Sequence, residues 1–141
     1  MIKVGDWVKC QVTEDYAEIH RVAEIKEKMI GGEKVNYCFN SQGLSFFESE
    51  LVKLPIKFKG FIVLKEGEIN ETRFIKATGK MYHFSATPSK SSTLIRVFIR
   101  LFVDGNWAYV VNSCSKNTID QAKDWLELQY ATMIAKTRNL I

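Results

Sequence analysis

The chain has 141 residues, 46% hydrophobic and 26% charged, with 20 Lys/Arg against 16 Asp/Glu and a net charge of +4. This is a globular composition for one medium domain or two small ones, and it excludes extensive disorder because apolar residues are dense enough to form a core. No apolar run approaches the roughly 18 residues that cross a bilayer, and Met1-Ile2-Lys3-Val4-Gly5-Asp6 has no apolar leader, so the expectation is a cytoplasmic protein with no membrane contact.

The first half reads as short strands. Residues 4–12 open on Gly5-Asp6-Trp7, a turn leading into a strand. Residues 19–25 alternate apolar and polar with period two. Gly31-Gly32 supplies a hairpin turn. Residues 35–39 form a further strand, residues 40–43 a turn and residues 44–47 another strand. Residues 48–52 read as a helical turn or a short edge strand. About five short strands in some 50 residues is the rhythm of a small barrel.

The runs Val4-Gly5-Asp6-Trp7-Val8, His20-Arg21-Val22-Ala23-Glu24-Ile25, Tyr37-Cys38-Phe39 and Phe46-Phe47-Glu48-Ser49-Glu50-Leu51 carry a resemblance. Together they resemble the small SH3-like or Tudor-like barrels, short versions of which are common in proteins of phages and other mobile elements. The resemblance covers about a third of the chain. It implies a fold and a genomic setting and carries over no functional residue, because such barrels share no chemistry.

Pro55 marks a boundary, giving a domain over 1–54 and a second over 55–141. In the second, strands are expected over 61–65, 72–77 and 81–86, with turns at Glu66-Gly67-Glu68 and Thr78-Gly79. Residues 87–92 are a polar loop. Residues 94–103 and 107–114 form the clearest hairpin, turned within Asp104-Gly105-Asn106. Thr118-Ile119-Asp120-Gln121 is a capping-box pattern that starts a helix over about 118–138. Ile119, Ala122, Leu126, Tyr130, Met133 and Ile134 recur at helical spacing, and Lys123 and Glu127 read as an i,i+4 pair on the wet side. The expected fold class is therefore α+β, mostly β: an SH3-like barrel, then an antiparallel meander packed against one long C-terminal helix.

One strand poses the functional question. In Leu94-Ile95-Arg96-Val97-Phe98-Ile99-Arg100-Leu101-Phe102-Val103, alternation puts Ile95, Val97, Ile99, Leu101 and Val103 on one face. That aliphatic face is a floor for the helix. The other face holds Arg96, Phe98, Arg100 and Phe102. A two-residue turn at Asp104-Gly105 or Gly105-Asn106 adds Trp107 and Tyr109 to it, whereas a three-residue turn with a bulge breaks the register. Charge concentrates in the same region. Residues 1–54 hold seven Lys/Arg against nine Asp/Glu, and residues 55–141 hold thirteen against seven. Between Arg73 and Lys116 seven basic residues face one acid, Asp104. Lys76, Lys80 and Lys90 extend a possible phosphate track.

Three accounts of the Arg/aromatic face stay open. It binds single-stranded nucleic acid, with rings stacking on bases and guanidinium groups meeting phosphates. It binds protein, since aromatics and Arg are common hot-spot residues. Or it is structural, covered by the first domain, whose excess acids pair the arginines. Several strands followed by one helix also resemble, at the level of topology alone, the single-strand-binding folds of the PUR-repeat and positive-cofactor type.

No catalytic signature stands beside these. Phosphate-binding, zinc-protease, dinucleotide and Ser-elbow motifs are missing from the sequence, and the carboxylates are dispersed. Cys10, Cys38 and Cys114 are widely spaced, with only His20 and His83 to join them, and read as three reduced thiols. Neither metal nor cofactor is expected. The expectation is a non-enzymatic binder of single-stranded DNA or RNA. The alternative is a mobile-element module that inhibits a host nucleic-acid-processing complex, as an anti-CRISPR-like or other anti-defence protein does.

Overall fold

The period-two runs form strands in the computed structural model, which describes residues 1–11, 18–76, 78–104 and 106–141, the side chains of Trp107 and Ala108 apart. The described elements are β1 (Trp7–Cys10), β2 (Ile19–Arg21), β3 (Glu24–Ile30), β4 (Glu33–Phe39), β5 (Ser45–Phe47), a 3-10 turn (Glu48–Glu50), β6 (Leu51–Lys53), β7 (Ile69–Ile75), β8 (Lys80–Pro88), β9 (Ile95–Val103), β10 (Asn106–Lys116) and the helix α1 (Ile119–Thr137). The fold is α+β and mostly β, with three antiparallel sheets and one C-terminal helix. No helix is long and apolar enough to cross a membrane among the described residues. The chain divides into two units: Met1–Lys57 with Ala131–Ile141, and Phe58–Tyr130.

The first unit holds two three-stranded sheets, ordered β2-β1-β6 and β3-β4-β5, with no closed barrel among the described residues. The run 19–25, expected as one strand, breaks at Val22-Ala23. There the backbone changes partner: Val22 N–H donates to Asp6 O at 2.9 Å, and Ala23 N–H donates to Phe39 O at 2.7 Å. Ile2, Val8, Val22, Cys38 and Leu51 form a buried core, with Cys10, Ile25 and Phe46 packed against it. Trp7 is buried as well, with the Arg21 guanidinium 5.1 Å from its ring. Val12, the expected end of the first strand, lies outside the described residues.

In the second unit the sheet runs β10-β9-β8-β7, a meander in which every neighbouring pair is antiparallel. Val103 pairs with Asn106 across the hairpin, and Asp104 adopts φ 51°. Gly105 lies outside the described residues. One sheet face buries Ile69, Tyr82, Phe84, Ala86, Val97, Ile99 and Leu101. Tyr130 of α1 meets Phe84 edge to face at 5.5 Å, and Asn112 Nδ2 donates to Gln129 Oε1 at 3.3 Å, so this is the helix side. Thr118 Oγ1 accepts the Gln121 N–H at 3.1 Å and caps the helix start. Gln121 Oε1 accepts from Asn117 N–H at 3.2 Å, one residue earlier than in a reciprocal capping box. At the far end Leu140 N–H donates to Ala135 O at 2.8 Å, with Asn139 at φ 56°, a left-handed stop.

Two expectations change. Residues 61–64 form no strand, because side chains take their amides: Phe61 N–H donates to Glu127 Oε2 at 2.9 Å and Ile62 N–H to Glu71 Oε2 at 2.7 Å. Glu127 is not on a wet face. It is fully buried, and Lys123 Nζ reaches its Oε2 at 2.9 Å. A Cβ at Gly60 would stand 2.9 Å from the same oxygen.

Removing the Glu127 carboxylate strands a buried amide, so Glu127→Ala is expected to cost roughly 1–3 kcal/mol in urea unfolding. Gly60→Ala should destabilise by a similar ~1–3 kcal/mol through crowding. Unchanged urea midpoints in both variants would refute this account of the segment.

Candidate nucleic-acid interface

Cross-strand register builds the face opposite α1. Four rows follow one another across β8, β9 and β10: Met81–Phe102–Trp107, His83–Arg100–Val110, Ser85–Phe98–Ser113 and Thr87–Arg96–Ser115. β7 adds Phe74 beside Met81, Thr72 beside His83 and Asn70 beside Ser85. Arg96, Phe98, Arg100 and Phe102 thus share the side away from the helix. Arg96 is exposed and the other three are half-buried. Trp107 joins the end row by backbone pairing with Phe102, and its side chain lies outside the described residues.

Tyr109 leaves the row. The β9–β10 register shifts between Trp107 and Tyr109, so Tyr109 pairs with Leu101 on the helix side. One extra residue in a strand reverses its alternation. A second shift between Val110 and Asn112 restores the pattern and brings Ser113 opposite Phe98. The two-residue turn was one of the expected options, but the two bulges decide which β10 side chains reach the face.

The lysines do not join the row either. Lys76 follows β7, and Lys80 pairs with Ile75 at the same hairpin, near the Phe102 end. Lys90 lies in the loop after β8, near the Arg96 end. Since Arg96 and Phe102 are six strand residues apart, about 20 Å at the usual rise, these lysines flank the row from opposite ends. Arg73 belongs to the helix side. Its guanidinium lies 4.1 Å from the Phe61 ring and donates to Lys59 O at 2.6 Å and Gly60 O at 3.1 Å. It is therefore withdrawn from the basic field of the open face.

Within the face, the Arg100 guanidinium sits 4.4 Å from the Phe98 ring and Arg96 5.8 Å from it, on cation–π terms. Arg100 also donates to Ser85 Oγ at 3.1 Å. His83 Nε2 donates to Asn70 Oδ1 at 2.6 Å. Phe98 is therefore a ring between two guanidinium groups along its strand and two serines across it. The apolar end is open: Phe74 is 55% exposed, Met81 39% and Val110 46%. Sequence reasoning missed His83, Ser85, Thr87, Ser113 and Ser115 as neighbours of the row. The period-two run Met81-His83-Ser85-Thr87 was visible, but its register against β9 was not.

Burial pushes the His83 imidazole below its usual 6.5, and Arg100 lowers it further. Burial also lowers His20, partly offset by Glu18. Burial raises the thiols of Cys38 and Cys114, with Glu48 adding to the first and Lys116 opposing the second. Raised thiols hold little thiolate at neutral pH and make poor nucleophiles. Among the described residues no group of three His, Cys, Asp or Glu is placed to hold a metal ion.

No protein-family model, curated protein or solved structure matches the chain.

Both histidines titrate below 6.5 when folded, so the unfolded chain binds their protons more readily. The stability held by neutral His83 is present above that value and is lost as pH falls from it toward the folded value. Urea midpoints are expected to decline from about pH 7.5 to about pH 5.5, and His83→Gln to flatten part of the slope. The remainder belongs to His20. A slope identical in wild type and His83→Gln would contradict the assignment.

Proposed function

We propose that this chain is a non-enzymatic protein that binds single-stranded nucleic acid through the β9 face. The observation that carries the reading is the row Arg96–Phe98–Arg100–Phe102, which alternates cation and ring on the side away from the helix. Arg96 and Arg100 are four strand residues apart, about 13 Å, which a few nucleotides of extended chain can span. Guanidinium groups there meet phosphates or stack on bases, and Phe98 and Phe102 offer rings to successive bases. Ser85, Ser113, Thr87 and Ser115 add hydroxyls that bond sugar or phosphate oxygens without reading sequence. Sequence preference is therefore modest.

A second reading draws on the apolar end of the same face. Exposed Phe74, Met81 and Val110 beside Phe102 and the arginines have the mixture of a protein hot spot. On that reading the chain is a module that docks on a nucleic-acid-processing complex, as a mobile-element inhibitor does. For the first unit, the two three-stranded sheets around the Ile2, Val8, Val22, Cys38 and Leu51 core support an SH3-like assignment.

Fluorescence anisotropy of a labelled single-stranded oligonucleotide, at low and at near-physiological salt, tests the main reading. Arg96→Ala and Arg100→Ala should each weaken binding and reduce the salt slope by about one counterion. Phe98→Ala should cost roughly 1–3 kcal/mol of binding, the worth of one stacked base. Equal affinity in wild type and all three variants removes this face as the site. Absence of binding at low salt, with recovery of a stoichiometric protein partner, selects the second reading.

A further inference from the structure

We infer that binding at the β9 face draws a proton onto His83, so that the face holds a phosphate-bearing strand more tightly as pH falls below neutral. The inference rests on the nucleic-acid reading and adds a regulation to it.

His83 lies within the face, beneath its surface. It is 5% exposed and belongs to the row His83–Arg100–Val110. Its neighbours on this side are Arg100 from β9, Asn70 and Thr72 from β7, and Met81 and Ser85 along its own strand. Arg100 is the one charged group among them, and none of them is a carboxylate. The helix, with Lys123 and Glu127, packs on the opposite side of the sheet. Asn70 Oδ1 is an acceptor, so Nε2 carries a hydrogen in both protonation states, and the 2.6 Å bond survives in either. The added proton goes to Nδ1. What opposes it in the free protein is electrostatic: burial first, then the Arg100 guanidinium.

A bound phosphate changes the second of these. It meets Arg100, which pairs with His83 across the strands. Side chains so paired leave their strands about 5 Å apart, close enough for the phosphate charge to offset the guanidinium field at the imidazole. The ring is already buried, so a ligand takes little further water from it. The bound state therefore keeps a proton that the free state releases. Coupling of this kind is reciprocal. A phosphate that raises the proton affinity of His83 tenfold is itself held up to tenfold more tightly by the protonated protein. An uncharged partner on the same face supplies no such offset.

Isothermal titration calorimetry with oligothymidylate at about pH 6, in two buffers of different ionisation enthalpy, counts the protons taken up on binding. Thymine and phosphodiester groups do not titrate there, so a proton taken up belongs to the protein. The expected result is uptake of a fraction of a proton per bound chain, with a severalfold gain in affinity from about pH 7.5 to about pH 6. His83→Gln should abolish the uptake, and a change at the other histidine, His20→Gln, should keep it. In the wild-type chain, the His83 imidazole resonance should titrate at a higher pH with oligothymidylate than without it, a readout that needs no variant. Binding without uptake, uptake that persists in His83→Gln or vanishes in His20→Gln, or an unmoved His83 titration overturns the inference and leaves the nucleic-acid reading standing. Absence of binding at both pH values overturns the two together.

Discussion

A carboxylate without solvent contact organises the second unit. Burying Glu127 is costly unless every lone pair finds a donor. Phe61 N–H and Lys123 supply donors, and Gly60 supplies the room, since any Cβ there would crowd the oxygen. Glu71 and Arg73 complete the arrangement by taking Ile62 N–H and the carbonyls of Lys59 and Gly60. A segment that joins no sheet thus has its polar backbone groups satisfied by side chains. The result is positional. Phe61 is set 4.9 Å from Phe84 and 5.9 Å from Tyr130, and Phe58 meets Tyr130 at 4.7 Å. This aromatic cluster fixes which side of the sheet receives the helix. The side bearing Arg96 and Phe98 is what remains.

The same interaction explains where the sequence was legible. Period-two runs, the Thr118 cap and the hairpin turn are local signals; they located β8, β9, β10 and the ends of α1, placed β7 about three residues late, and wrongly added a strand at residues 61–65. The split of β9 into an aliphatic and an Arg/Phe face is local too, and Val97, Ile99 and Leu101 are buried accordingly. Non-local bonds were not legible. Glu127 and Lys123 have the spacing of a solvated helix pair, and only the approach of Phe61, 66 residues away in sequence, turns that pair inward. Residues 61–64 have strand composition, but the amides of Phe61 and Ile62 are claimed by carboxylates and that of Leu64 by Glu68 O in a turn. In β10 nothing local announces bulges at Ala108 and Val111, yet these decide that Tyr109 faces the helix side and Ser113 faces Phe98.

The interior of the open face has an unusual balance. β8 is buried on both sides: Tyr82, Phe84 and Ala86 toward the helix, His83 and Ser85 away from it. A buried imidazole and hydroxyl cost free energy unless bonded, and here Asn70 and Arg100 provide the bonds. Arg100 is thereby held over Phe98 by a polar contact on one side and a ring beneath. A guanidinium fixed in this way loses less entropy on meeting a ligand than one on a free stem. Burial and the adjacent positive charge of Arg100 both disfavour protonated His83.

Which ligand suits this face is decided by the cost of covering it. Among the described residues no carboxylate stands within ion-pair distance of Arg96. Taking a guanidinium out of water costs several kcal/mol unless a counter-charge accompanies it. An apolar protein surface supplies contacts for Phe74, Met81 and Val110 but leaves that cost standing. A phosphate backbone supplies the counter-charge at Arg96, and its bases supply flat apolar area for Phe98 and Phe102. The released counterions add a favourable entropy that an uncharged partner cannot match. On this comparison the proposed ligand, an anionic, base-bearing strand, would satisfy the guanidinium groups and the rings together.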